Sequence, residues 1–298
     1  MKKITIIGAN SYIARNVIYT LKNNYSEYEL YLYDRAAEQV DNETNYKSID
    51  ILNLEDVNKI NFQTDIIFMF IGKTGSINGY DDYDTFIDIN EKALLNILNA
   101  YRNFNSKAKI IFPSTRLVYK GKKGLLKEDD KKEFKTIYAI NKYACENYLK
   151  QFHDVFGVNY CIFRICVPYG TLIAQASSYG TAEFMINKAS NGQNITLYGD
   201  GSVRRTITYM GDLCKVLIEG AISAECCNDI YNIGGENYSL KEMAELIAER
   251  YNVGIGYVPY PEISYKIETG DTVFDDMKIN NIIPVKYTGK FNTWIKNL

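Results

Sequence analysis

The strongest constraint on the fold is the alternation of short apolar segments with segments of helical periodicity. Strands buried on both faces are predicted where isoleucine, tyrosine and phenylalanine cluster, at 3–9, 29–34, 65–72, 108–115 and 159–167. The intervening segments 11–24 and 89–104 carry apolar residues at helical spacing. Strand, helix and strand at such intervals predict βαβ units and a doubly wound parallel sheet. We therefore expect an α/β fold of the Rossmann type.

The pattern becomes less regular after residue 167. A glycine-rich polar stretch at 170–205 precedes a helix at about 211–224, a short strand at 229–235, a helix at 239–251 and an irregular tail. We predict a dinucleotide-binding domain with the catalytic residues at 1–167 and a smaller α/β substrate-binding lobe at 168–298. Because no low-complexity linker separates the two lobes, we expect them to be packed together or interleaved.

Composition excludes several classes of protein. The 298 residues carry a net charge of −2 with a pI of about 5.7, which gives no electrostatic reason to expect nucleic acid or acidic lipid as a partner. No apolar stretch approaches the ~20 residues of a membrane span, and the apolar run near the N-terminus is too short for a signal peptide. A single histidine, His153, excludes a multi-histidine metal site, and six cysteines without a CxxC pair indicate reduced thiols. We expect a cytoplasmic protein without a metal.

The segment GANSYIA follows the first predicted strand and opens the first helix. Dinucleotide folds need small residues here, so that the backbone can approach the pyrophosphate and the helix can pack on the strand. Gly8, Ser11 and Ala14 have the spacing of a three-glycine loop, although only the first is glycine. The position of the segment therefore predicts that it binds a dinucleotide, with Tyr12 and Ile13 among the contacts.

Asp34 ends the second predicted strand. An acid there can bind the adenosine ribose and repel a 2′-phosphate, which favours NAD over NADP, although an ordinary strand-end carboxylate is the alternative. Arg35 follows directly and could accept that phosphate, so NADP stays an alternative. Farther along, IGKTGS at 71–76 resembles a triphosphate-binding loop, but that pattern requires glycine where Ile67 stands. We expect this glycine-rich segment to approach a ligand without being such a loop.

Three polar residues are candidates for catalysis. Thr115 ends the strand at 108–115, at the edge where parallel sheets bind ligands, although a capping role would also explain it. Tyr138 and Lys142 lie one turn apart on a predicted helix at 136–152. The apolar stems of this pair could merely cover surface while the polar tips reach water. Alternatively, the lysine cation lowers the tyrosine pKa from about 10 toward neutrality for proton transfer.

The helix that carries this pair is predicted from its apolar spacing. Ile137, Ile140 and Ala144 fall three and four residues apart, which predicts a buried stripe beside the tyrosine–lysine face. A second pair with the same spacing, Tyr119 and Lys123, lies in a glycine- and lysine-rich loop, where spacing implies no shared face. Only the first pair is therefore a catalytic candidate.

Several segments resemble the extended short-chain dehydrogenase/reductases of the nucleotide-sugar epimerase/dehydratase group. In the first half they are GANSYIA, Asp34, SIDI at 48–51, FPSTRLVY, YAINK and RICVPYGT. In the second half they are LYGDGSVRRTITYMGDL, DIYNIGGENYSLKEMAELI and GDTVFDDMK, in the order of that family. The resemblance covers nearly the whole chain. It implies a nucleotide-sugar substrate, an NAD cofactor, and a homodimer in which the helices around Asn90 and Tyr138 pair.

The resemblance also implies a role for each candidate. Tyr138 would be the general acid/base, Lys142 would lower its pKa and hold the nicotinamide ribose, and Thr115 would bind the reacting sugar oxygen. The implied cofactor contacts are Gly8, Ser11, Tyr12, Ile13, Asp34, Arg35, Asp50, Ile51, Phe70, Ile71, Gly72 and Asn90. The implied substrate contacts are Arg205 on the diphosphate and Asp271 near the nucleoside. Arg116 either contacts substrate or forms a surface salt bridge.

Several positions depart from the pattern of that family. Its 4,6-dehydratases follow the threonine with an Asp–Glu pair that eliminates water, whereas this chain has Arg116 and Leu117. Leucine cannot transfer protons, which argues against a dehydratase. Val167 replaces an asparagine that contacts substrate, and Glu268 replaces an arginine often found three residues before Asp271. These changes argue against the familiar galactose-type sugar.

Two activities could use the same catalytic residues. A nucleotide-sugar 4-epimerase oxidises C4 and reduces the other face, so that the cofactor is regenerated, whereas a 4-ketoreductase of deoxysugars consumes reduced cofactor. Asp34 favours the epimerase because an epimerase retains NAD. A catalytically silent dinucleotide-binding protein is the alternative from another class, and loss of the tyrosine or the lysine would favour it.

Overall fold

The computed structural model describes residues 2–174 and 180–298. Its strands are β1 (Lys2–Ile7), β2 (Tyr28–Asp34), β3 (Tyr46–Ser48), β4 (Ile66–Met69), β5 (Lys109–Thr115), β6 (Leu125–Leu126), β7 (Tyr160–Ile165), β8 (Val167–Tyr169), β9 (Ile195–Tyr198), β10 (Arg204–Tyr209), β11 (Asp229–Asn232), β12 (Glu236–Ser239), β13 (Ile255–Val258) and β14 (Val273–Phe274). Its helices are α1 (Tyr12–Asn24), α2 (Leu54–Val57), α3 (Tyr83–Ile87), α4 (Ala93–Asn103), α5 (Ile137–Phe156), α6 (Thr181–Ser190), α7 (Met210–Ile222), α8 (Leu240–Tyr251), α9 (Glu262–Ile267), α10 (Met277–Asn280) and α11 (Phe291–Lys296), with a π-helical turn at Asp88–Lys92 and a 3₁₀ turn at Arg116–Val118. Within these described ranges, none of the helices has both the length and the apolar character needed to cross a membrane.

A seven-stranded parallel sheet forms the centre of the fold. Its strand order is β11–β7–β5–β4–β1–β2–β3, and every neighbouring pair is parallel. The strands are apolar on both faces: in β1, Ile4 and Ile6 pack into one hydrophobic cluster and Ile7 packs into the other. Helices α1 and α7 cover the first face, and α4 and α5 cover the second. The predicted doubly wound α/β fold of the Rossmann type is confirmed.

The strand predicted at 159–167 is interrupted. β7 ends at Ile165, and the chain leaves the main sheet at Cys166, whose thiol donates to the carbonyl oxygen of Thr272 at 3.3 Å. β8 then pairs with β10, which also pairs with β12, in a separate three-stranded sheet. β7 and β8 are both largely buried, so apolar residues continue on both sides of Cys166. Composition therefore could not reveal where the chain changes sheets.

The second part of the chain contains more regular structure than predicted. The stretch 170–205, expected to be irregular, includes α6 and β9 and reaches the start of β10. The pairs β9–β13 and β6–β14 form two small parallel sheets, whose strands of two to four residues are too short to show a period. β11 returns to the main sheet beside β7. The division of the chain at residue 167 stays a prediction.

Helix α5 buries a different face from the predicted one. Ile137 and Ala144 are only half-buried, and Ile140 is 47% exposed. The buried positions on α5 are Ala139, Asn141, Lys142, Cys145, Glu146 and Leu149. The predicted stripe was wrong because polar side chains belong to the packed face: Lys142 and Glu146 both form hydrogen bonds with β5.

Candidate active site

The loop between β1 and α1 has a backbone that only glycine fits at one position. Gly8 has φ +86°, and a Cβ placed there would lie 2.6 Å from the carbonyl oxygen of Phe70. α1 then begins at Tyr12, with the Ser11 side chain accepting a hydrogen bond from the backbone N–H of Ala14 at 3.4 Å. The free N–H groups of such a helix end favour an anionic ligand such as a pyrophosphate.

The carboxylate of Asp34 lies at the end of β2, beside this loop. Its Oδ2 accepts from the backbone N–H of Asn10 at 3.0 Å, and its Oδ1 accepts from that of Arg35 at 2.7 Å. The side chain of Asn10 in turn donates to the carbonyl oxygen of Glu38 and accepts from the N–H of Val40. These bonds hold the acid in a fixed position between two loops.

A cavity of about 590 Å³ opens at this carboxyl edge of the sheet. Nine of the predicted cofactor contacts line it: Gly8, Ser11, Asp34, Arg35, Asp50, Ile51, Phe70, Ile71 and Gly72. These residues come from the ends of several parallel strands, which is where doubly wound sheets bind dinucleotides. The small residues, the helix end and the strand-end acid fit a dinucleotide, and the acid fits the ribose of NAD.

Asn90 lies behind this cavity, in the π-helical turn that precedes α4. It is buried; its Oδ1 accepts from the backbone N–H of Lys73 at 2.9 Å, and its Nδ2 donates to the Lys73 carbonyl oxygen at 3.1 Å. A Cβ on Gly72 would lie 3.1 Å from Asn90 Oδ1 and 3.6 Å from Lys142 Nζ. Asn90 therefore fixes the loop after β4, and it brings that loop against the catalytic candidates.

A second cavity, of about 770 Å³, is continuous with the first and shares Ser11, Phe70, Ile71 and Gly72 with it. Apart from Asn90, the remaining candidates from the first part of the chain line it, namely Tyr12, Ile13, Thr115, Arg116, Tyr138 and Lys142. The structure thus brings the predicted cofactor loop and the predicted catalytic residues to one connected opening.

Thr115 and Tyr138 both line this second cavity, and their side chains are hydrogen-bonded. Thr115 caps the 3₁₀ turn that follows β5, with its Oγ1 accepting from the backbone N–H of Leu117 at 3.2 Å. Thr115 therefore caps the turn and also lines the cavity. Burial raises the pKa of Tyr138, and a hydrogen bond with Thr115 acts in the opposite direction.

Lys142 is buried and contacts β5. Its Nζ donates to the carbonyl oxygen of Pro113 at 2.9 Å and lies 4.3 Å from the centroid of the Phe112 ring. Burial lowers the pKa of Lys142 to about 8. Burial has the largest effect on the pKa of Tyr138, and the expectation that Lys142 lowers that pKa stays a prediction.

The two predicted substrate contacts of the second lobe lie apart from these cavities. Among the described residues, neither Arg205 nor Asp271 belongs to the lining of either cavity. Arg205 is buried and forms an ion pair with Glu268 at 2.6 Å. Asp271 Oδ1 accepts from the backbone N–H of Arg204 at 2.8 Å. Arg116, by contrast, lines the second cavity, and its Nη1 donates to the hydroxyl of Thr269, which lies in the same segment as Glu268 and Asp271.

Several residues that line the two cavities carried no prediction, among them three polar ones. Asn10 and Lys73 line the first cavity, and Arg15 lines the second. Lys73 directly follows Gly72 and Asn10 lies two residues after Gly8, and these places in predicted ligand loops are the signal that could have identified them. Arg15 lies within α1 and is paired with Asp41 at 2.6 Å, which no local pattern indicates. No cluster of three or more His, Cys, Asp or Glu side chains in the described part of the chain is arranged to hold a metal.

Comparison with known proteins identifies the family. The sequence pattern of the NAD dependent epimerase/dehydratase family matches residues 4–234. A putative UDP-glucose 4-epimerase from Methanocaldococcus jannaschii is 26% identical over 254 residues, which are 82% of this chain and 81% of that protein. CDP-paratose 2-epimerase from Salmonella typhi is 25% identical over 264 residues, which are 78% and 77% of the two chains. Other relatives include reductases and dehydratases of nucleotide-linked sugars.

A solved structure supports the fold independently. The UDP-N-acetylglucosamine 4-epimerase from Methanobrevibacter ruminantium M1 superposes with a TM-score of 0.85 at 22% sequence identity, covering 99% of this chain and 96% of that one. The chain therefore belongs to the NAD dependent epimerase/dehydratase family, whose members are enzymes that use NAD.

Proposed function

We propose that this protein is a nucleotide-sugar 4-epimerase that retains NAD. The observation that carries the proposal is the meeting of Thr115, Tyr138 and Lys142 in a cavity continuous with the nucleotide-binding one. A sugar joined to a nucleotide could place its C4 between the catalytic residues and a nicotinamide ring held by the neighbouring cavity. The names of several relatives, which include 4-epimerases, support this activity.

The residues of this chain would divide the work as follows. Tyr138, as phenolate, would take the proton of the C4 hydroxyl and return it to the keto oxygen after the sugar turns over. Thr115 would donate a hydrogen bond to the same oxygen. Lys142 would hold the nicotinamide ribose. When bound, oxidised NAD would supply the hydride acceptor and a positive charge that favours the phenolate.

The cofactor would lie across the first cavity. The loop from Gly8 through Ile13 would hold the pyrophosphate, and Asp34 would bind the adenosine ribose. Asp50 and Ile51 would flank the adenine. Asn90 would keep the loop after β4 against the nicotinamide side, because its side chain already fixes the backbone of Lys73.

We further propose that the enzyme does not perform 4,6-dehydration. Water elimination needs an acid and a base close to Thr115, and the following positions are Arg116 and Leu117, which both line the cavity. Neither side chain can act as a carboxylate base. In the second lobe, Arg205 would contact the diphosphate and Asp271 would lie near the nucleoside.

A homodimer would complete the assembly. α5 exposes Ile140, and the neighbouring α3 exposes Tyr83 and Ile87, at 47%, 53% and 44% respectively. Large apolar side chains on adjacent helices are the usual material of a symmetric interface. This face is therefore our candidate for the contact between two copies of the chain.

Analysis of the purified protein tests the proposed function. The protein would be denatured to identify any released dinucleotide, and a second sample would be incubated with nucleotide sugars and 4-keto sugars. An epimerase should release bound NAD and isomerise one sugar with no net change in absorbance at 340 nm. Oxidation of added NADH or NADPH only with a 4-keto sugar would indicate the 4-ketoreductase instead. Failure to bind any dinucleotide would overturn both activities.

A further inference from the structure

The cavity that contains Tyr138 is lined by positive charge. Among its described lining residues, the charged side chains are Arg15, Arg116 and Lys142, and none is acidic. Arg15 is neutralised by Asp41 at 2.6 Å. The ammonium of Lys142 donates to the carbonyl oxygen of Pro113. Arg116 is the cation of this wall that stands next to Thr115, the residue proposed to bind the reacting sugar oxygen.

Arg116 has only a neutral partner within the described residues. Its Nη1 donates to the hydroxyl of Thr269 at 3.2 Å. Arg205 lies close enough to repel it, and burial together with this repulsion lowers the pKa of Arg116 to about 10. Arg116 is attracted by Glu268 but forms no ion pair within the described residues, so an anion placed beside its guanidinium would be stabilised.

Glu268 does not serve as that anion, because it is already committed to Arg205. Its Oε1 lies 2.6 Å from Arg205 Nη2 and also accepts from the backbone N–H of Gly270 at 2.9 Å. Burial acts to raise the pKa of Glu268, but the charges of Arg205 and Arg116 outweigh burial and lower it. The cluster therefore holds two guanidinium groups and one carboxylate, and its net charge is positive.

We propose that Arg116 binds an anionic oxygen group of the nucleotide-sugar substrate. This inference rests on the proposed function. A planar guanidinium can bind two oxygens of one anion, and either the diphosphate or a carboxylate on the sugar would supply them. Arg205 cannot by itself balance the negative charge of such a group, because Glu268 already neutralises the Arg205 guanidinium. The structure places Arg116, Arg205 and Glu268 in one cluster.

Binding to the NAD-saturated protein, measured by calorimetry, tests this inference. The probes are pyrophosphate, UDP, UDP-glucose and UDP-glucuronate, where the last two differ by a carboxylate at C6. Arg116→Gln removes the charge but keeps polar atoms. Arg204→Gln is the matched control, since Arg204 neighbours Arg205 in the chain but pairs with Glu242 at 2.9 Å outside the cavity.

The pattern of losses identifies the anion. If Arg116 binds the diphosphate, Arg116→Gln should weaken pyrophosphate, UDP and both sugars about tenfold or more. If it binds a sugar carboxylate, the loss should be confined to UDP-glucuronate. Arg116→Lys should restore part of the affinity in either case, because it restores the charge without the fork. Arg204→Gln should bind like the unaltered protein.

Two results would overturn the inference, and they differ in meaning. Equal affinity of Arg116→Gln and the unaltered protein for every probe that binds would exclude Arg116 alone and leave the proposed function intact. Failure of the unaltered, NAD-saturated protein to bind these four probes and also CDP- and dTDP-linked sugars would remove the proposed function as well. As a further check, adding Glu268→Gln to Arg116→Gln should recover affinity, since Arg205 is then no longer neutralised. Thermal melting confirms that each variant is folded.

Discussion

Arg164 and Glu146 form a buried ion pair beneath the helix that carries Tyr138. Arg164 Nη2 lies 2.6 Å from Glu146 Oε2, and Arg164 Nε lies 2.9 Å from Glu146 Oε1. Glu146 Oε1 also accepts from the hydroxyl of Ser114, and Arg164 Nη1 donates to the hydroxyl of Tyr119 at 2.7 Å. The pair therefore ties α5 to β5 and β7 one residue before Thr115, and it fixes the distance between the two catalytic candidates.

Glu146→Gln should destabilise the protein by about 3–5 kcal/mol, because it leaves the Arg164 guanidinium buried with one neutral partner in place of a carboxylate. The free energy of unfolding, measured in urea, checks this. Glu262→Gln is the control, since it breaks an exposed pair with Lys266 and should leave the unfolding midpoint unchanged. Equal midpoints for the two variants would mean that the buried pair contributes nothing to stability.

Tyr138→Phe should fold and bind NAD but lose turnover by about 10²–10⁴-fold, because it removes only the hydroxyl that transfers the proton. Steady-state rates with the active nucleotide sugar, together with NAD occupancy, measure this. Tyr143→Phe on the same helix is the matched control, because Tyr143 packs against Phe134 and does not line either cavity in the described residues. Retained activity in Tyr138→Phe would contradict the proposed role of the Tyr138 hydroxyl in proton transfer.

Lys142 should make a pH-dependent contribution to stability. Folded Lys142 releases its proton near pH 8, below its ordinary pKa of 10.5, so between these values the unfolded chain binds more protons. The contribution of this group to the free energy of unfolding therefore rises with pH across that window. For Lys142→Met, the melting temperature relative to the unaltered cofactor-free protein should fall as the pH rises from about 8 to 10.

The same substitution at Lys150, an exposed position on α5, is the control for this measurement. The quantity compared is how the melting-temperature difference between each variant and the unaltered protein changes with pH. A loss that is the same at every pH, such as that of the hydrogen bond to Pro113, shifts this difference by a constant and does not affect the comparison. An equal pH dependence for the two variants would contradict the lowered pKa of Lys142.

Gly8→Ala should weaken NAD binding by about tenfold or more, because the new methyl group would press on the carbonyl oxygen of Phe70 and move the loop. Gly124→Ala is a close match in backbone conformation: Gly124 has φ +91°, near the +86° of Gly8, but a Cβ there meets no heavy atom within 4 Å. Titration with NAD should therefore separate the two variants. Similar losses in both would assign the effect to backbone strain alone.

Ile140→Glu should convert the proposed homodimer to a monomer, because a charge would be placed on the apolar face of α5. Light scattering during size-exclusion chromatography measures the mass. Ile263→Glu, on α9, introduces the same charge at another exposed isoleucine and should leave the mass unchanged. A monomeric unaltered protein would exclude the proposed homodimer. A dimer that survives Ile140→Glu would show that the interface lies on another face.

The central sheet and its helices could be predicted because long apolar strands and helices repeat with distinct periods. Nine residues predicted to contact the cofactor line the first cavity. Strand ends and glycine loops have fixed places in such a sheet, which pointed to residues such as Gly8 and Asp34, whereas Asp50, Ile51, Phe70 and Ile71 were indicated only by the family resemblance. Which side chains of a helix are buried could not be predicted in the same way. Ile140 is exposed and Lys142 is buried, since the packed face of α5 is chosen by partners on β5 that lie far away in sequence.

The electrostatics of the site were the least predictable part. Spacing places Tyr138 and Lys142 one turn apart, but it does not say that Lys142 points to Pro113 or that burial dominates the pKa of the tyrosine. The cluster of Arg116, Arg205 and Glu268 joins three segments that are distant in the chain. Only the folded structure can show that these charges meet, because no local pattern connects them.

The return of β11 to the central sheet has a consequence for how the protein is made. Until Asp229–Asn232 has left the ribosome, β7 is an open edge, and its N–H and C=O groups on that side have no neighbouring strand. The central sheet therefore lacks its last strand while residues 166–228 are being added. During that interval the open edge of β7 is available for mispairing with other strands.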